Sequence, residues 1–172
     1  MRRKISVCLI VIVCFLLQST VFKELAFADI SPNLLIVVTA AFGFMRGKKE
    51  GMIIGFFCGL LMDVFFGGIL GFYALEYMYI GFFNGFFRKM FFPDDIKLPL
   101  FLIGISDILY NLGVYVLRFF FRGNFQIGYF MIHIIIPELI YTLLVTIVLY
   151  VIILKINQKL EIIEKKGAKK FG

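Results

Sequence analysis

The sequence predicts an all-α integral membrane protein with six transmembrane helices and both termini in the cytoplasm, organised as one polytopic domain over residues 1–172. Three observations carry that expectation. Hydrophobic residues make up 62% of the chain and charged residues only 17%, with mean hydropathy +0.99, against about 45–50% apolar and about 25% charged in soluble domains. Long apolar runs recur along the chain, separated by short charged or glycine-rich breaks. When those runs are threaded alternately across a bilayer, 15 of the 18 Lys and Arg residues fall on one side, the side that faces the cytoplasm. A membrane β-barrel would need segments alternating apolar and polar, whereas these runs are apolar on every side.

The first predicted span, residues 5–22, holds 18 residues without a charge, about 27 Å as a helix against a hydrocarbon core of about 30 Å. Arg2, Arg3 and Lys4 before it and Ala26, Phe27 and Ala28 after it imitate a secretory signal with a cleavage site. The run exceeds the usual apolar region of about 7–15 residues in such signals, so a retained anchor is expected. The second span, 31–45, can open with Ser31 as a hydroxyl N-cap and Pro32 at the first helical position, and ends before Arg46, Lys48 and Lys49. It is short, and flanking cations would have to snorkel. The third, 51–66, and fourth, 70–87, form a tight hairpin around the glycine-rich turn Gly67, Gly68 and Gly71. Pro93, Asp94 and Asp95 supply a breaker and acidic first-turn groups for the fifth, 98–117. The sixth, 129–154, contains Pro137, which should kink it and free the carbonyl of His133.

The net charge of +7 is therefore mainly an orientation signal. The terminal lysines can also lie against anionic lipid, and no groove-reading module accompanies the basic balance, so nucleic acid is not an expected partner. Cys8, Cys14 and Cys58 lie in apolar runs, where a thiol behaves as a small hydrophobe. His133 stands without a second His or Cys at ligand spacing. There is no hydrolase triad, HExxH or phosphate-binding loop. No enzyme activity, metal or cofactor is expected.

Two sets of residues stand out. Gly47, Gly51, Gly55 and Gly59 recur every four residues, a smooth stripe leading into and along the third span where another backbone, of this chain or of a partner, can approach closely; Gly51, Gly55, Gly59, Asp63, Gly67 and Gly71 are expected to form this helix-packing or partner interface. Gly81 and Gly85 form a weaker pair on the fourth. The second set is polar: Glu76, Asp107, Asn111 and Glu138 fall within predicted spans, where a charged group costs about 2.5–3.5 kcal/mol on insertion scales. Asn111 follows Asp107 by one turn with Arg118 farther along that face, Thr142 follows Glu138 by one turn, and Glu76 shares a side with Asn84. Either these groups line a polar interior open to the outside or they make interhelical hydrogen bonds that fix packing. Met90, Phe91 and Phe92 are expected at the membrane interface. Ile156, Leu160 and Ile163 form an apolar stripe expected to lie on the lipid surface.

The segment Ser31-Pro32-Asn33-Leu34-Leu35, then Gly55-Phe56-Phe57-Cys58-Gly59-Leu60-Leu61-Met62-Asp63, then Gly67 and Gly71-Phe72-Tyr73-Ala74-Leu75, resembles the rod shape-determining protein MreD family. Asn33 stands where that family often carries an acidic residue. Asp63 matches the family's acidic residue at the end of the third helix. The resemblance implies a non-enzymatic scaffold subunit of the bacterial cell-elongation complex in the cytoplasmic membrane. It would bind MreC directly and, through the complex, meet MreB, RodA and a class B penicillin-binding protein in lateral peptidoglycan synthesis. The family is also similar in architecture to substrate-binding subunits of energy-coupling-factor vitamin transporters, so the rival reading is a small-molecule transporter subunit. A third, an integral-membrane acyl or phosphoryl transferase, would require turnover that depends on Asp107 or Glu138.

Overall fold

The computed structural model describes residues 2–24, 30–67, 70–92, 95–118 and 127–170. The structure is all-α, with no strand among the described residues. Helix α1 (Arg2–Ser19) is followed by a single turn, α2 (Val21–Glu24). Next come α3 (Leu34–Arg46), α4 (Lys48–Phe66) and α5 (Phe72–Phe86). A 3-10 turn, Phe87–Met90, leads on toward α6 (Lys97–Arg118). A short α7 (Ile127–Phe130) passes through a π-helical turn, Met131–Ile135, into α8 (Ile136–Lys170). Each expected span overlaps helix, and among the described residues three segments are long and apolar enough to cross a bilayer: Arg3–Glu24, Lys97–Val116 and Gly128–Glu164.

Of the remaining helices only α3 is enclosed; α4 and α5 also expose apolar side chains, among them Phe57 and Tyr79. Helix α3 has 13 residues, about 20 Å, and every residue from Leu34 to Met45 is buried. It packs against α1, α4, α5, α6 and α8. A helix this uniformly apolar becomes stable when other helices cover it on all sides, and α3 is the axis around which the others assemble. The outer helices carry the surface lipid would meet: Ile5, Leu9 and Leu16 on α1, Phe101 on α6, and Ile140, Leu144 and Val148 on α8 are all exposed. A soluble protein would not carry such a belt.

Three local expectations are corrected, and the surroundings of Pro137 are filled in. Helix α3 begins at Leu34 rather than at Ser31 and Pro32, because Asn33 is the cap: its Oδ1 accepts from the Ile36 amide at 3.3 Å. Pro137 is accommodated by the preceding π turn, in which the Ile136 amide donates to the Met131 carbonyl. Its ring lies just beyond a segment whose hydrogen bonds are already displaced by one residue. The stripe beyond residue 154 does not all lie on lipid: Leu160 is 8% exposed and Ile156 packs on the core, while Ile163 is 47% exposed. Ion pairs hold that end of α8 inward. Arg46 meets Glu50 and Glu161, each at 3.2 Å, and Arg3 meets Glu50 at 3.0 Å and Glu164 at 3.2 Å, tying α1, α3, α4 and α8 together at the end that bears the termini. Finally, Phe91 is packed inward, its ring 5.5 Å edge-on from Phe44, while Met90 and Phe92 remain exposed. The Ala26-Phe27-Ala28 site, Gly68, Pro93, Asp94 and Arg122 lie outside the described residues, as does the side chain of Arg118.

Candidate functional site: a glycine-sealed hairpin and two polar pockets

The stripe on α4 faces α5 of the same chain. A Cβ at Gly51 would strike the Gly81 carbonyl, one at Gly55 the Tyr77 carbonyl, and one at Gly59 the Tyr73 carbonyl and Ala74 Cα. The relation is reciprocal, since a Cβ at Gly81 would strike the Gly51 carbonyl and one at Gly85 the backbone of Lys48. The two backbones are in contact along the whole hairpin, the arrangement small residues permit when lipid supplies no hydrophobic drive. Gly47 alone links α3 to α4 with φ +100°, a left-handed conformation that glycine adopts without strain. A second protein cannot use this stripe while the hairpin is closed.

Asp63 closes the far end of the same hairpin. It is 3% exposed on the last turn of α4. Its Oδ1 accepts from the Tyr73 amide at 2.9 Å, and its Oδ2 from the amides of Gly71 at 3.0 Å and Ala74 at 2.9 Å. These are donors that the first turn of α5 leaves without intrahelical partners, and a carboxylate there also complements the helix dipole. Gly71, at φ +99°, turns the chain so that its amide points at the carboxylate. Gly67 donates to the Asp63 carbonyl at 3.1 Å and packs so closely that a Cβ would strike it.

Beside it, α1, α3, α5 and α8 meet in a polar knot. Tyr77 Oη donates to Asn33 Oδ1 at 2.8 Å, and the Asn33 amide donates to Thr142 Oγ1 at 3.2 Å. Gln18 of α1 accepts from the Leu35 amide at 3.2 Å, so two of the orphan donors at the start of α3, the Leu35 and Ile36 amides, are met by α1 and by the Asn33 cap. Asn33 serves here as a neutral cap and acceptor. Farther along, Asn84 donates to Ser106 Oγ at 2.7 Å and to the Ile80 carbonyl at 2.9 Å, joining α5 to α6. Gln18, Tyr77 and Ser106 escaped the sequence reading, since one polar atom in an apolar run gives no sign of which helix it faces.

The intramembrane polar residues separate into two places. Asp107, Asn111 and Glu138 come together between α6 and α8. Asn111 donates to the Asp107 carbonyl at 3.1 Å, and Glu138 lines the same cavity as Asn111. Asp107 is 0% exposed, and neither carboxylate oxygen has a hydrogen-bond partner among the described residues. Asn111 and Glu138 line a cavity of about 490 Å³ at the end opposite the termini, with Gln18, Lys23 and Tyr110 on its walls. Glu76 is elsewhere. Its carboxylate lies against Gly113 of α6, on the floor of a groove of about 720 Å³ walled by Leu75, Tyr79, Phe83 and Leu109. Glu76 and Asn84 both face α6; Asn84 donates to Ser106 there, whereas Glu76 Oε2 has no hydrogen-bond partner among the described residues.

This arrangement offers acceptors and packing surfaces. Among the described residues no three His, Cys, Asp or Glu side chains gather as a metal set. His133 Nδ1 lies 3.1 Å from the Tyr129 carbonyl and its ring stacks on Tyr129 at 4.2 Å. No curated protein and no solved structure shows significant similarity to the chain. The family model of the rod shape-determining protein MreD matches residues 1–160 of the 172. With the match running over all but the last turns of α8 and the motif from Gly55 to Ala74 forming one sealed hairpin, the chain belongs to the rod shape-determining protein MreD family.

Proposed function

We propose that this protein is a non-catalytic scaffold subunit of the rod complex, held in the bacterial cytoplasmic membrane by six spans with both termini inside. In this reading it binds MreC directly and, through the complex, connects MreB with RodA and a class B penicillin-binding protein during lateral wall synthesis. Membership of a rod shape-determining family supports the role. The observation that carries the scaffold reading is the use made of the family's motif: its glycines and Asp63 are consumed in joining α4 to α5. A motif spent on rigidity suits a subunit that acts by holding others in place. The test is affinity capture of the tagged full chain from native membranes, with proteins and small molecules both identified. Recovery of MreC without a bound metabolite is expected; a bound metabolite without MreC would overturn the proposal.

The rival, a transporter-type substrate-binding subunit, is favoured by one feature, the cavity that Asn111 and Glu138 line. The same capture experiment separates the two. Topology is checked independently. A reporter fused after residue 172 is expected to be active only in the cytoplasm, and a periplasmic signal would refute the six-span arrangement.

A further inference from the structure

With the stripe on α4 covered by α5, a partner inside the membrane must engage another surface, and the α5–α6 groove has features the rest of the outer face lacks. Helices α4 and α5 touch backbone to backbone, whereas α5 and α6 leave between them the cavity of about 720 Å³. It is lined from Gly71 to Phe86, alongside all 15 residues of α5, about 22 Å of helix. Its rim is formed by exposed apolar side chains, among them Tyr79 and Leu109, so it opens sideways toward lipid. On its floor Glu76 rests against Gly113, and its Oε2 is buried without a hydrogen-bond partner among the described residues.

In hydrocarbon, apolar surfaces gain little by meeting one another, and association is driven by close packing and by hydrogen bonds between helices. Glu76 is the acidic side chain lining the groove, and an acidic group at membrane depth favours an occupant that brings it a hydrogen-bond donor. Lipid chains could occupy its volume but bring no donor. We infer that the α5–α6 groove is the docking site for one transmembrane helix of a partner subunit, which presents a basic, amide or hydroxyl side chain to Glu76. The inference rests on the scaffold reading and adds the surface and the chemistry of contact. Gly113 has a part in it: with no side chain of its own, it leaves room for the carboxylate to lie between the two walls.

The experiment places a photocrosslinking benzoylphenylalanine at Tyr79 or Leu109 of the full-length chain, in membranes that contain its own rod complex, with Ile140 on the outer face of α8 as control. Both groove positions are expected to crosslink to one transmembrane helix of another protein, with a donor side chain within a turn of the attachment point; Ile140 is not. Glu76→Leu should lower the yield roughly three- to twentyfold, the range of a single interhelical hydrogen bond, and Glu76→Gln should restore most of it. Leu109→Trp, which fills the groove without touching Glu76, should lower the yield from Tyr79 as well. Adducts with lipid alone, adducts with a second copy of this chain alone, or a yield unchanged by Glu76→Leu in a variant that inserts and elutes normally would each overturn the inference. If the wild-type chain captures MreC but neither groove position yields an adduct with another protein, the groove inference fails and the scaffold reading stands. If the wild-type chain captures no MreC, the scaffold reading fails and the inference falls with it.

Discussion

Replacing Gly81 by leucine is expected to prevent the α4–α5 hairpin from closing. The Gly51 carbonyl already occupies the place a Cβ would take, and the obstacle is backbone on both sides, with Gly43 also packed on the Gly81 carbonyl. Ordinary overpacking costs about 1–3 kcal/mol because side chains can yield. Here the helices themselves must separate, which would undo the contacts at Gly55 and Gly59 as well. The purified variant should lose roughly 10 °C or more in Tm, or elute as aggregate, when followed by size-exclusion chromatography after heating. Gly104→Ala is the control: its Cβ would meet only Leu143 Cδ2 at 3.5 Å and Leu139 Cδ1 at 3.7 Å. In a helix interior that change gains about 0.5–1 kcal/mol. Equal stability of the two variants would show that the close approach is not needed.

The second large effect belongs to Asp63. Removing its carboxylate leaves the amides of Gly71, Tyr73 and Ala74 without their acceptor. A buried donor left unsatisfied costs about 1–3 kcal/mol. The three losses do not add fully, because Gly71 lies at the partly exposed turn and its amide can reach water, so Asp63→Ala is expected to cost on the order of 3 kcal/mol. Asp63→Asn keeps one acceptor oxygen and should fall between the two. The expected readout is a lower Tm with hydrogen exchange accelerated at the start of α5 and unchanged in α8. Uniform acceleration throughout would mean that Asp63 supports the whole fold rather than this one junction.

The same residues show what was legible in the chain. The spacing of Gly51, Gly55 and Gly59 exposes a smooth face on α4 without any knowledge of the neighbours, because a four-residue step keeps side chains on one side of a helix. That α5 covers it is a tertiary fact. Asp63 reads as an acid at a helix end; its role as the cap of the next helix depends on Gly71 turning the chain back onto it. Ser31 and Pro32 make a plausible helix start, and Asn33 displaces them because its side chain is met by Tyr77 and its backbone amide by Thr142. Leu160 was expected to face lipid; the ion pairs of Glu161 and Glu164 with Arg46 and Arg3, residues read from sequence only as orientation signals, hold that end of α8 against the bundle.

By itself the sequence determined the solvent and the secondary structure. Hydropathy is a sum over neighbouring residues, and each helix satisfies its own backbone hydrogen bonds in lipid without help from the others. Only the tertiary structure decided the layering, with a 13-residue α3 enclosed by its neighbours, and the fate of each polar group. Asn84 found Ser106, Asp63 found three amides, and Glu76 was left facing a groove. Those outcomes depend on how helices distant in sequence are rotated against one another, and a uniformly apolar helix carries little information about its own rotation.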